Sequence, residues 1–206
     1  MEKPIAKFSV IVFDLGNVLI PFDYNPLIKK FNDIRNNLGD KFASFYKDNY
    51  EIHRNYERGK ISTEEFIATM LKVLNYNMTA EEFCKLFSSV FTVNEKVVEL
   101  LPVLKRKYTL VLLSNTNEIH RNYGWQKYKF INQFEKLVLS YEVGFVKPES
   151  KIYRSVEEFT GKPACEHFFI DDIKEYADAA KNLGWGGVQF TNYQNLVEEL
   201  RKSEIL

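Results

Sequence analysis

The chemistry in this chain is concentrated in a few polar residues that follow apolar runs. Asp14 comes directly after Val10-Ile11-Val12-Phe13 and precedes the turn formers Gly16 and Asn17. Ser114-Asn115-Thr116-Asn117 follows the run from Tyr108 to Leu113, and Asp171-Asp172 follows His167 to Ile170. Lys147-Pro148 stands downstream of a weaker run, Lys136 to Leu139. An aspartate at the exit of a buried strand can serve as a nucleophile, a metal ligand or both. Asp14, Asp171 and Asp172 packed at close quarters would shift one another's pKa sharply unless positive charge compensates. A hard divalent cation such as Mg²⁺ suits oxygen ligands of this kind, and Lys147 adds a second positive point. With the Ser114 hydroxyl, such a site is built for a phosphoryl group, whose transfer depends on positioning and charge stabilisation.

For these residues to meet, the apolar runs must lie side by side. Phe8 to Phe13, Tyr108 to Leu113, Lys136 to Leu139, His167 to Ile170 and Gly187 to Phe190 read as five strands. From residue 95 onward they alternate with helical patterns, which predicts parallel βαβ units with right-handed crossovers. Ligands of such sheets gather beyond the carboxyl ends of the strands. The fold class expected is α/β, a Rossmann-like parallel sheet with an inserted helical segment.

That insertion is residues 21–92, which carry no period-2 strand. Ser62-Thr63-Glu64-Glu65 and Thr79-Ala80-Glu81-Glu82 are capping boxes that open two helices. Earlier helices are expected near Asn25 to Asn37 and Asp40 to Ile52. A crossover rarely needs such length, so the segment reads as a helical cap over a core made of residues 1–20 and 93–206. Pro148 is expected at the first helical position of the segment it opens. Asp171 or Asp172 is also suited to cap a helix that runs to Leu183 and stops at Gly184.

Composition narrows the class of protein. The chain has 206 residues, 45% hydrophobic and 27% charged, as for a globular domain rather than a disordered one. Lys plus Arg and Asp plus Glu are 28 each, so no global field favours nucleic acid. Cys84 and Cys165 have no metal-type spacing and read as reduced thiols in a cytoplasmic protein. After Lys3 and Lys7, Asp14 interrupts the apolar run and no small-residue cleavage site follows, which argues against a signal peptide. No apolar stretch approaches a membrane span.

Taken in order, Phe13-Asp14-Leu15-Gly16-Asn17-Val18-Leu19, Leu113-Ser114-Asn115-Thr116-Asn117, Gly144-Phe145-Val146-Lys147-Pro148 and Phe169-Ile170-Asp171-Asp172 resemble the haloacid dehalogenase (HAD) superfamily. The inserted helices resemble that family's C1 cap. A closer likeness, to bacterial α-D-glucose-1-phosphate phosphatases and the phosphatase domain of epoxide hydrolases, is carried by Ser114 to His120 and Tyr56 to Ser62. The resemblance implies that Asp14 attacks phosphorus and forms an aspartyl-phosphate. It implies a Mg²⁺ held by Asp14, the Gly16 carbonyl and Asp172, with Asp171 beside them. Ser114 and the Asn115 backbone would hold phosphate oxygens, and Lys147 would neutralise Asp14 and the phosphate together. Mn²⁺ would serve similarly.

Two departures from the family pattern stand out. Most of its phosphatases carry an aspartate two residues after the nucleophile, as general acid and base, where this chain has Gly16. General acid–base help is worth ~10²–10⁴ in rate, and a sugar 1-phosphate, with its better leaving group, softens the loss. Asp23, at the cap hinge, is a candidate substitute acid, although a hinge or capping aspartate is the favoured reading. Tyr176 stands where many relatives have Asp or Asn. Of the histidines, His120 and His167 read as packing or surface residues. His53, with Tyr50, Tyr56 and Glu57, is a candidate cap-side specificity patch.

The function expected is hydrolysis of a small phosphorylated metabolite, a sugar phosphate among the options, with no nucleic acid or membrane as partner. The alternative is a catalytically weak phosphate-binding or regulatory module, motivated by Gly16 and Tyr176. A dehalogenase using Asp14 on carbon needs no metal, and the Asp171-Asp172 pair argues against it. A receiver domain has an aspartate, a hydroxyl residue and a lysine, but it lacks the long insertion.

Overall fold

A computed structural model describes residues 8–206; Lys3 and Lys7 lie outside the described residues. In chain order the elements are β1 (Val10–Phe13), α1 (Asn25–Ile34), α2 (Leu38–Asp48), α3 (Tyr50–Glu57), α4 (Thr63–Val73), α5 (Ala80–Phe87), α6 (Glu95–Val98) and α7 (Leu101–Leu104). Then come β2 (Thr109–Ser114), β3 (Lys136–Leu139), α8 (Ser140–Val143), α9 (Ser150–Thr160), β4 (His167–Asp171), α10 (Lys174–Asn182), β5 (Gly186–Gln189) and α11 (Tyr193–Lys202). A short π-helix, His120–Trp125, and two 3₁₀ turns complete the chain.

The five strands form one parallel sheet in the order β3-β2-β1-β4-β5. Every residue of β1 is buried, as expected of a central parallel strand covered on both faces. Alternation sorts its side chains. Ile11 and Phe13 join Leu110, Leu112 and Ile170 in one core, while Val10 and Val12 join Val111, Leu113 and Phe169 in the other. The chain leaves β1 for β2 on one side and later returns to β4 on the other. That places a topological switch point at the carboxyl end of β1.

Helices α1 to α5 form a layer with its own core, in which Phe31, Phe42, Phe66, Phe83 and Phe87 are fully or almost fully buried. Much of the chain's aromatic content is spent here, in ring pairs such as Phe83 with Phe87 at 5.3 Å. Two stretches tie this layer to the sheet. Phe22 and Phe91 form an antiparallel bridge, flanked by Asp23 N–H to Val90 O at 3.1 Å and Thr92 N–H to Pro21 O at 2.9 Å. Both capping boxes form, Ser62 with Glu65 and Thr79 with Glu82.

Several boundaries differ from the expectation. The helix expected over Asp40 to Ile52 is two helices, because Asn49 leaves the helical region and turns its Nδ2 onto the Phe45 carbonyl at 3.0 Å. Asn37 sits at φ 62° between α1 and α2. Pro148 does not begin a helix: α9 starts at Ser150 with Glu149 extended before it. The backbone of Lys147 is held instead by side chains of Asn115 and Arg54, described below. Asp171 and Ser114 are the last residues of their strands rather than loop residues. Among the described residues no helix is long and apolar enough to cross a membrane.

Candidate active site

Three adjacent strands deliver the polar residues. Asp14 continues from β1, its N–H bonded to Ile170 O on β4 at 2.9 Å. Ser114 ends β2 and Asp171 ends β4, so both lie beside Asp14 at the same sheet edge. Lys147 arrives from the connection between α8 and α9. Its Nζ donates to Asp14 Oδ1 at 2.7 Å and to Asp171 Oδ2 at 2.6 Å. The other Asp171 oxygen accepts the Ile173 N–H at 2.8 Å, so both of its oxygens are engaged within the protein. Asp172 accepts from Asn17 Nδ2 at 3.0 Å. One carboxylate oxygen each from Asp14, Asp171 and Asp172 lies within 4.8 Å of the others.

Asn115 does more than offer its backbone. Its Oδ1 accepts the Lys147 N–H at 2.8 Å and its Nδ2 donates to the Lys147 carbonyl at 3.2 Å. This two-point clamp fixes the peptide that carries the ammonium. The Ser114 hydroxyl is buried and, among the described residues, reaches only the Asn115 carbonyl, at 3.4 Å. In the loop after Asp14, the Gly16 carbonyl accepts the Val18 N–H at 2.6 Å, which leaves a second lone pair. A Cβ at Gly16 would stand 3.3 Å from Phe22 Cε1, so a ring fills the space a side chain would enter.

The charges are unbalanced. Burial pushes the Asp14 carboxyl up to about 8; Lys147 opposes this, and Asp171 and Asp172 add to it. Burial works against the Lys147 ammonium, but Asp14 and Asp171 outweigh it and hold its pKa above the ordinary value. Asp172 is also raised, by burial first and by Asp171, with Asn17 opposing. The two partners of the Lys147–Asp14 pair move upward for different reasons: Asp14 chiefly because it is buried, Lys147 because it faces two carboxylates. The donor set is all hard oxygen, and the surplus negative charge is what a divalent cation would offset.

Above this floor is a cavity of about 260 Å³. Asp14, Gly16, Ser114, Asn115, Lys147 and Asp172 line it from the sheet, and His53 and Glu57 line it from α3. His53 Nε2 lies 3.2 Å from Glu57 Oε1, and its Nδ1 lies 2.6 Å from the Tyr46 hydroxyl. Burial opposes the charge on Glu57, but His53 and Arg54 outweigh it and keep its pKa below the usual carboxylate value.

Asp171 lies under this lining, joined to it through Lys147. Asp23 is not brought to the cavity lining: its Oδ1 accepts the Asn25 N–H at 2.9 Å where α1 begins. Tyr50 lines the cavity, whereas the Tyr56 hydroxyl turns to Thr63 Oγ1 at 2.9 Å and Ile119 N at 3.2 Å. The Tyr176 ring lies 5.2 Å from Lys147 Nζ.

Sequence reasoning missed Arg54, Tyr24 and Tyr46, and it set His120 aside as packing; all four line the cavity. Arg54 Nη1 pairs with Glu57 at 2.8 Å and its Nη2 reaches the Lys147 carbonyl at 3.2 Å. The i,i+3 spacing of Arg54 and Glu57 was a visible signal for the first contact; the second spans 93 positions and had none.

Residues 8–184 match the model of the haloacid dehalogenase-like hydrolases. D-ribitol-5-phosphate phosphatase of Bacteroides thetaiotaomicron is 28% identical, over 92% of this chain and 95% of its own length. A sesquiterpene phosphatase of Aspergillus oryzae is 24% identical, over 96% of this chain and 97% of its own. The crystal structure of a HAD family enzyme from B. thetaiotaomicron, in complex with magnesium and inorganic phosphate, superposes with a TM-score of 0.77 at 27% identity. It covers 92% of this chain and 98% of that one.

Proposed function

We propose that this chain, which belongs to the haloacid dehalogenase-like hydrolase family, is a Mg²⁺-dependent phosphatase of small phosphomonoesters, with sugar or polyol phosphates as the favoured class. The observation that carries this reading is the Lys147 ammonium shared between Asp14 and Asp171, 2.7 and 2.6 Å away, inside a cluster of three carboxylates. The relatives named for phosphatase activity, and the magnesium and phosphate bound by the related enzyme, support it.

In this reading Asp14 Oδ attacks phosphorus, the bond from phosphorus to the ester oxygen breaks, and the leaving oxygen takes a proton from water to depart as the alcohol. Water then hydrolyses the aspartyl-phosphate to inorganic phosphate and restores the Asp14 carboxylate. Lys147 balances charge on Asp14 and the phosphoryl oxygens, Ser114 donates its hydroxyl to one of them, and Asn115 keeps Lys147 in register. Asp14, Asp172 and the Gly16 carbonyl would hold Mg²⁺, which supplies charge neutralisation and polarises the phosphoryl group when bound. Asp171 acts through Lys147, since both its oxygens are already engaged. The Gly16 position contributes no proton to the leaving oxygen, so activity should favour esters of better leaving groups.

Residues 21–92 are read as a cap on a core of residues 1–20 and 93–206. The bridged entry and exit segments at Phe22 and Phe91 support that division. His53 and Glu57 would then select the leaving group. The test is phosphate release from a metabolite panel with and without added Mg²⁺, in wild type and Asp14→Asn. Equal release by the two proteins would refute the proposal.

A further inference from the structure

Among the polar groups of the cavity that the chemistry above does not use, His120 is the one with a ring nitrogen left without a partner among the described residues. His120 opens the π-helical turn after β2, is 7% exposed, and lines the cavity. Its ring stacks on Phe87 at 4.4 Å and meets the Phe91 ring edge-on at 5.0 Å. Asn117, wholly buried, makes two contacts with it. Asn117 Oδ1 accepts the His120 backbone N–H at 2.9 Å, and Asn117 Nδ2 lies 3.1 Å from His120 Nδ1.

These contacts fix the tautomer. Because the Asn117 oxygen is committed to a backbone N–H, it is the NH₂ group that faces Nδ1, and an NH₂ group can only donate. Nδ1 therefore accepts and carries no proton, and the single proton of the neutral ring sits on Nε2. Among the described residues, Nε2 is a buried side-chain atom with no hydrogen-bond partner. The Phe87 carbonyl is near enough to favour the protonated ring, as does Glu57. It nonetheless forms no hydrogen bond of acceptable length and angle with Nε2. Burial dominates, with His53 acting in the same direction, and pushes the imidazolium pKa down to about 3. A neutral imidazole N–H is far too weak an acid to protonate a leaving oxygen, but it is a good hydrogen-bond donor. A buried donor without a partner is costly to keep.

We infer that His120 is a specificity-determining residue whose Nε2–H donates to a hydroxyl or carbonyl oxygen on the leaving portion of the substrate, selecting oxygenated esters over hydrocarbon ones. This rests on the phosphatase reading for the identity of the ligand, but not for the state of the ring. Sites built to hydrogen-bond a substrate oxygen discriminate strongly against analogues that lack it.

The test uses two matched pairs: ribitol 5-phosphate against pentyl phosphate, and glucose 1-phosphate against cyclohexyl phosphate. His120→Phe keeps the aromatic stack and removes the donor; His120→Gln returns an N–H near the Nε2 position. Loss of one uncharged hydrogen bond corresponds to about tenfold in kcat/KM. We expect His120→Phe to lose about that much on the oxygenated member of at least one pair. The hydrocarbon member should change less than about twofold, and His120→Gln should recover most of the loss. Equal losses on both members, or equal behaviour of the two variants, would overturn the inference.

A second arm needs no turnover. In Asp14→Asn protein, the His120 ring nitrogens are followed by ¹⁵N NMR while each phosphate ester is added. An Nε2-protonated ring whose signal shifts with an oxygenated ester, and not with its hydrocarbon match, supports the inference. A ring protonated on Nδ1, or a signal that no ester moves, overturns it. If wild type releases no phosphate while the oxygenated esters still shift the ring, the phosphatase reading fails and the donor assignment stands.

Discussion

Protonation of His120 should be visible in the stability of the whole protein. The ring takes a proton near pH 3 in the folded chain and near 6.5 when released. Between those values unfolding binds a proton, so stability is full above pH 6.5 and declines as pH falls towards 3. The decline from this residue is ~1.4 kcal/mol per pH unit, or about 2 kcal/mol at pH 5. The groups that bear on the ring are His53 and Glu57 from α3 and the Phe87 carbonyl from α5. His167, also lowered by burial, and the carboxylates titrate in any variant and cancel in a difference. The perturbation is His120→Gln, which cannot protonate. Urea unfolding at pH 7 and pH 5, followed by circular dichroism, gives the change in stability for wild type and variant. Wild type should lose about 2 kcal/mol more than His120→Gln, equivalent to about 4–8 °C in melting temperature for a chain of this size. Parallel losses would show that the ring is not held neutral by the fold, and the tautomer argument built on Asn117 would fall with it.

Lys147→Met should abolish phosphate release and also destabilise, because Asp14 and Asp171 lose a partner that is 1% exposed. Breaking a buried ion pair from one side costs about 3–5 kcal/mol, or about 6–20 °C in melting temperature; a drop under 2 °C in thermal unfolding would contradict the charge assignment. Gly16→Asp should gain little alone because Phe22 Cε1 stands 3.3 Å from the new Cβ. Combined with Phe22→Ala it should raise kcat/KM on alkyl phosphates towards the ~10² expected of a general acid; no gain in the double variant would show that Gly16 is not where the acid is missing. Ser62→Ala should cost about 1 kcal/mol in urea unfolding by removing a capping box, with kcat unchanged.

What the sequence made legible was local or periodic. The apolar run Val10 to Phe13 declared a strand buried on both faces, and Asp14 at its end declared the site. The capping boxes at Ser62 and Thr79 were readable because donor and acceptor lie three residues apart. Asp23 follows the same local rule: its carboxylate accepts the amide of Asn25 two positions on, the capping reading that its place before α1 favoured. The break at Asn49 depends on which backbone group its side chain chooses, and composition does not decide that. Arg54 was invisible as a partner of Lys147 because contact requires α3 to fold over the sheet edge first. His120 lay between these cases. Its Asn117 neighbour is three residues away, but the vacancy at Nε2 exists only once Phe87 and Phe91 close around the ring.

Lys147 is where the two layers of the molecule meet, and the meeting has a mechanical consequence. Its ammonium is bound to the sheet through Asp14 and Asp171, while its carbonyl accepts from Asn115 on the sheet side and Arg54 on α3. Two residues on, Glu149 pairs with Arg58 just past the end of α3. Gly59, at φ 65°, passes so near Tyr141 that a Cβ would lie 2.5 Å from its carbonyl oxygen. Only glycine allows that approach, which gives a physical reason for the glycine within Tyr56-Glu57-Arg58-Gly59-Lys60. The same helix turns His53 and Glu57 into the cavity. Displacing α3 would therefore remove the proposed specificity residues and pull on the peptide that aims the ammonium at Asp14. In the proposed reaction, recognition of the leaving group and activation of the nucleophile depend on one seated helix, so loss of either should accompany loss of the other.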